Sequence, residues 1–155
     1  MNNYLDQLAT KDIRLPVQVV LEPITQNGAP DLLVQVNGQN YCYQPAQNLV
    51  TVNTTIHLLD NFSLLVSMTN KHYSEKLETA VIVSSITVDG HELTNWYSQC
   101  AEFISYQNDQ NVDYRGFYLG FNGVWCFELD RPFYQWWHVV SGQGWLLAPA
   151  PVRSI

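Results

Sequence analysis

Positive charge is scarce in this chain. Seven Lys+Arg stand against 14 Asp+Glu in 155 residues, for a formal net charge of −7. With no basic stripe to neutralise phosphates, nucleic-acid binding is not expected, and neither is attraction to an anionic membrane surface. Long apolar runs are missing too: nothing approaches the ~20 residues that span a bilayer. The start, Met1-Asn2-Asn3-Tyr4-Leu5-Asp6, has neither a basic stretch nor an apolar one. No signal peptide is therefore expected, and the chain is read as made in the cytoplasm or packaged into a particle. Cysteine is limited to Cys42, Cys100 and Cys126, an odd number at wide spacing. That pattern makes neither a disulfide framework nor a zinc site, and three buried, reduced thiols packed as small hydrophobes are expected.

Charge of either sign is low, at 14%, against about 25% in an ordinary globular protein. Asn, Gln, Ser, Thr and Tyr fill the gap. Such a surface costs little to desolvate, which suits a part of a larger assembly or a protein facing a neutral polar ligand such as sugar. Signatures of catalysis are absent as well. There is no Gly-x-Ser-x-Gly elbow. Gly142-Gln143-Gly144 lacks the third glycine and the leading strand of a dinucleotide site. His57, His72, His91 and His138 do not share the short spacing of zinc ligands. No enzyme is expected.

What the chain does have is turn chemistry. Val36-Asn37-Gly38-Gln39, Val88-Asp89-Gly90-His91 and Phe121-Asn122-Gly123-Val124 each set Asn-Gly or Asp-Gly between β-type residues. Two-residue hairpins need positive φ at both turn positions, which Asn or Asp followed by Gly supplies at least cost. Three hairpins are expected: Leu32–Val36 with Tyr41–Tyr43, Thr79–Val88 with His91–Leu93, and Phe117–Phe121 with Val124–Leu129. The β-branched run Thr79–Val88 suits a central strand. The expected class is all-β with minor helix: an antiparallel β-sandwich or jelly roll, with one or two short helices in the C-terminal third. Trp96, Cys100, Phe103 and Ile104 recur at helical spacing within 95–106, and Phe133–Val140 reads as a second short helix stopped by Gly142. A single domain over 1–155 accommodates this, with an N-terminal arm at 1–14 and an extended tail at 148–155.

Aromatic residues crowd the last third. On the strand 124–129, Trp125, Phe127 and Leu129 share one face and are expected in the core. The adjacent pair Trp136-Trp137 cannot both point inward from one short element. Tyr134, Trp136, Trp137 and Trp145 are therefore the candidate contact residues, for a protein interface or for a ligand. Asp109-Gln110-Asn111-Val112-Asp113 has the D-x-N-x-D spacing of a calcium loop. Tyr114 takes the place of its sixth-position glycine, so Asp109 and Asp113 are ligands only of an irregular loop.

Three segments carry a family resemblance: Asp31–Gly38, Phe62–Asn70 and Glu78–Gly90. In their order of strand, Asn-rich loop, strand and hairpin, residues 31–93 resemble the calcium-dependent, xylan-binding type of carbohydrate-binding module. The resemblance implies a jelly roll of two packed sheets. It also implies calcium, held after the second strand by an Asn-Asp pair with nearby acidic groups and coordinating sugar hydroxyls. Asn70 matches the first of that pair, Lys71 stands where the acid belongs, and Glu75 and Glu78 are the acidic groups within reach. Calcium at Asn70, Glu75 and Glu78 is the one cofactor so implied. More loosely, the Lys-poor, Asn/Gln-rich character and the segment 132–138 resemble structural proteins of tailed bacteriophages.

The leading expectation is a non-enzymatic structural or adaptor component of a virion, in a tail, baseplate or decoration position. It would contact other virion proteins and further copies of itself through the aromatic patch. The alternative is a lectin-like module binding neutral polysaccharide such as a cell-surface glycan, with or without calcium.

Overall fold

Residues 11–106, 110–112 and 117–141 are described by the structure, a computed structural model. One sheet contains β1 (Arg14–Thr25), β4 (Val50–His57), β6 (Thr79–Val88), β7 (His91–Glu92) and β10 (Tyr118–Leu119). Its order is β10-β6-β1-β4, with β7 also pairing β6. The other contains β2 (Asp31–Val36), β3 (Gln39–Tyr43), β5 (Asn61–Thr69), β8 (Ala101–Ser105), β9 (Gln110–Val112) and β11 (Gly123–Pro132), in the order β3-β2-β5-β11-β8-β9. These pairings are antiparallel throughout. The chain passes repeatedly from one sheet to the other, the habit of jelly-roll sandwiches. Among the described residues, no helix is long and apolar enough to cross a membrane.

Alternation of apolar and polar residues sets which face each strand buries. Leu15, Val17, Val19 and Leu21 of β1 meet Leu32, Val34, Phe62, Leu64, Val66 and Met68 from the facing sheet in one core. Trp125, Phe127 and Leu129 join them, as the strand pattern predicts. The β1–β6 register moves from Val20↔Ser85 to Leu21↔Val83, leaving Ser84 unpaired as a bulge. The extra residue shifts the alternation, so β6 buries Val81 and Val83 on one side of it and Ile86 and Val88 on the other. Two prolines sit within β1 because each occupies a stretch with one neighbour. Pro16 pairs only with β4 and Pro23 only with β6.

Two of the three turn cassettes form the expected hairpins. Asn37 and Gly38 have φ of 48° and 88°, and Asp89 and Gly90 have φ of 50° and 82°. The third does not. β10 pairs with β6 in one sheet while β11 runs between β5 and β8 in the other, so Asn122-Gly123 crosses between sheets. Gly123 lies outside the positive-φ set. Its requirement is space: a Cβ there would overlap the Ile104 carbonyl oxygen and the Phe121 ring.

The helical reading of 95–106 also needs correction. A 3₁₀ turn (Thr94–Trp96) and one turn of helix, α1 (Tyr97–Cys100), give way to β8. From residue 101 the burial has period two, with Ala101, Phe103 and Ser105 inward, because β11 offers a backbone ladder. The second helix is present as α2 (Phe133–Ser141), directly after Pro132 closes β11. The thiols differ from expectation as well. All three are free, but Cys42 is exposed on β3, and Cys100 and Cys126 are half-buried. Cys42 sits next to Tyr41 and Tyr43, which turn inward, so alternation puts its side chain on the solvent face.

Candidate functional site

α2 and the β5–β6 loop lie at opposite ends of the sandwich. β6 begins just after Glu78 and ends just before Asp89, and ten residues of strand span roughly 30 Å. The candidate contact residues fall at the α2 end. Trp136 is buried at 6% exposure. Trp137 is half-buried, with its ring 4.7 Å from His91, 5.2 Å from Trp96 and 5.9 Å from Phe133. Tyr134 donates its hydroxyl to Asp89 Oδ2 at 2.5 Å. Burial and that hydrogen bond push its pKa up to about 12. Both tryptophans of the adjacent pair thus find partners within the chain. They do so because the 3₁₀ turn and the β6–β7 hairpin supply a second aromatic layer, Trp96 and His91, outside the core. His91, directly after the Asp89-Gly90 turn, is part of that layer. Trp145 lies outside the described residues.

The opposite end carries a polar network. Lys71, two residues past β5, is buried, with its side chain 5% exposed. Its Nζ donates to Glu78 Oε1 at 2.5 Å and to the Gly120 carbonyl at 2.6 Å, and lies 5.1 Å from the centre of the Tyr73 ring. The Tyr118 hydroxyl donates to the other Glu78 oxygen at 2.5 Å. Burial alone would raise the Glu78 carboxyl. The hydrogen bonds from Lys71 and Tyr118, together with the ammonium's charge, outweigh it and hold the group below its ordinary value. Asn122 closes the network on the backbone: its Oδ1 accepts from the Lys71 N–H at 2.9 Å and its Nδ2 donates to the Lys71 carbonyl at 3.2 Å.

Aromatic residues stand near this network, each about half exposed to solvent. Tyr73 is 53% exposed, Tyr106 50% and Phe117 49%. The two tyrosines are nevertheless fixed. The Tyr73 hydroxyl accepts from the Asn122 N–H at 3.3 Å, and the Tyr106 N–H donates to the Asn122 carbonyl at 3.0 Å. The Tyr106 hydroxyl and Ser67 Oγ share a hydrogen bond of 2.6 Å. Sequence reasoning missed Tyr73, Tyr106 and Phe117. The available signal was aromatic residues inside polar loops, which the denser aromatic crowd after residue 120 overshadowed.

The residues implied as calcium ligands divide. Asn70 has a φ of 68° and turns the chain out of β5, leaving its side chain exposed. Glu75 is exposed on the loop, and only Glu78 enters the network. Among the described residues, no three of His, Cys, Asp and Glu gather as a metal site. The Lys71 ammonium sits among the oxygens a hard cation would need, so these residues do not fit calcium. Asp109 and Asp113 lie outside the described residues.

Compared with solved structures, the chain is similar to a calcium-dependent carbohydrate-binding module, the selenomethionine form of vCBM60, described in a circular-permutation link between two such families. Identity is 21% and the TM-score 0.46, with 74% of this chain and 90% of that one covered. No family model and no curated protein matches the chain.

Proposed function

We propose that this chain is a non-catalytic module that binds neutral polysaccharide at the end of the sandwich formed by the β5–β6 loop and residues 117–122. One observation carries the reading: two half-exposed tyrosines are each held by the hydroxyl, Tyr73 by the Asn122 N–H and Tyr106 by Ser67 Oγ. A sugar ring offers an apolar face of C–H groups and an equator of hydroxyls. Aromatic rings already locked in position meet that face with little loss of side-chain entropy. The low charge of the chain agrees with a neutral ligand, and the Asn122 and Glu78 neighbourhood offers polar partners for hydroxyls. The aromatic segment of α2, on which a virion contact would rest, is engaged within its own chain, so the polysaccharide reading is preferred.

Affinity electrophoresis through gels containing soluble neutral polysaccharides, xylan among them, tests the proposal. At least one should retard the protein. Tyr73→Ala and Tyr106→Ala should each weaken retention about tenfold, equivalent to ~1.4 kcal/mol, with the melting temperature of Tyr73→Ala lowered by no more than a few degrees. Unretarded migration across the panel, or full retention by both variants, would refute it.

A further inference from the structure

We infer that the Lys71 ammonium is the resident cation of this end of the sandwich, organising the Tyr73 platform in the position where a calcium ion is implied, and that the Lys71–Glu78 cluster needs no metal. As an account of what positions the platform, this rests on the binding reading. The place of the cation itself does not.

An ammonium has three N–H donors, and Lys71 meets three electron-rich partners. They are Glu78 Oε1, the Gly120 carbonyl and the face of Tyr73. The second Glu78 oxygen is taken by the Tyr118 hydroxyl. Both Glu78 oxygens and the Gly120 carbonyl thus already accept a proton donor. Calcium seeks six to eight oxygens, whereas Lys71 contributes a positive charge and no oxygen from its side chain. A divalent ion brought within a few ångströms would be repelled by the ammonium.

The partners come from three separate stretches of chain. Lys71 and Tyr73 leave β5, Glu78 enters β6, and Tyr118 and Gly120 lie between β9 and β11. A cation shared among them ties the loops of both sheets together, which is the work a structural metal does. A tethered ammonium does that work without being exchanged or chelated. The ring of Tyr73 is held from two directions, by Lys71 beneath its face and by the Asn122 N–H at its hydroxyl.

Melting temperatures in calcium chloride and in EDTA, taken without polysaccharide, test the inference apart from the glycan reading. The wild-type chain should melt at the same temperature in both. Lys71→Met should lose on the order of 10 °C and gain nothing from calcium. Lys71→Asp restores a carboxylate facing Glu78 and the Gly120 carbonyl, so its melting temperature should fall in EDTA and rise again with millimolar calcium. Rescue by a metal is a response that lost packing alone would not produce. A calcium-dependent rise in the wild type, or saturable calcium binding by it in titration calorimetry, would overturn the inference. So would an unaltered melting temperature for Lys71→Met. If Lys71→Asp does not fold, the wild-type titration and Lys71→Met still decide.

Discussion

Gly123 separates two accounts of the third turn cassette, and substitution there distinguishes them. If it were a hairpin glycine, Asn should replace it cheaply, since Asn tolerates the left-handed conformation. In the structure it stands where β11 passes β8, and an added Cβ would strike the Ile104 carbonyl oxygen, with the Phe121 ring carbons at 2.7 and 2.9 Å. The ring can swing aside. The carbonyl belongs to a paired strand and cannot move without opening the β8–β11 ladder. Overpacking costs about 1–3 kcal/mol, and loss of one ladder hydrogen bond adds about 0.5–1.5 kcal/mol. Gly123→Asn should therefore cost ~2–4 kcal/mol. Gly38→Asn and Gly90→Asn are the controls, because both glycines have positive φ and open space around a built Cβ. Each should cost under about 1 kcal/mol. Urea unfolding followed by tryptophan fluorescence measures all three. Equal costs at positions 38, 90 and 123 would refute the crossing between sheets and restore the hairpin. Since Asn122 holds Lys71, Tyr73 and Tyr106, Gly123→Asn should also weaken polysaccharide retention.

Two further outcomes follow from the same geometry. Trp136→Ala should cost ~3–5 kcal/mol in urea unfolding, while half-buried Trp137 should cost about half as much. Loss of self-association without loss of stability would instead make them interface anchors. The Glu78 pKa is depressed on folding, so its contribution to stability is full above its ordinary 4.5 and disappears as pH falls through the lower folded value. Melting temperature should drop more steeply below about pH 4.5 in the wild type than in Glu78→Gln, and parallel curves would contradict the network.

The architecture was legible wherever a local rule acts alone. Asn37-Gly38 and Asp89-Gly90 encode their turns in backbone sterics, and Trp125, Phe127 and Leu129 declare a buried face by alternation. The same rules failed where distant segments compete. Trp96, Cys100, Phe103 and Ile104 carry helical spacing, yet β11 offers residues 101–105 a ladder and they extend. Trp136 and Trp137 are too many for one face until Trp96 and His91 provide a second layer.

By itself the sequence determined the class of fold and the two hairpins, because φ preference and alternation are properties of neighbouring residues. Only the tertiary structure decided which end of the sandwich carries a site. Lys71, Glu78, Tyr118 and Asn122 are scattered along the chain, and a buried ammonium acquires its partners only when loops from both sheets converge on it.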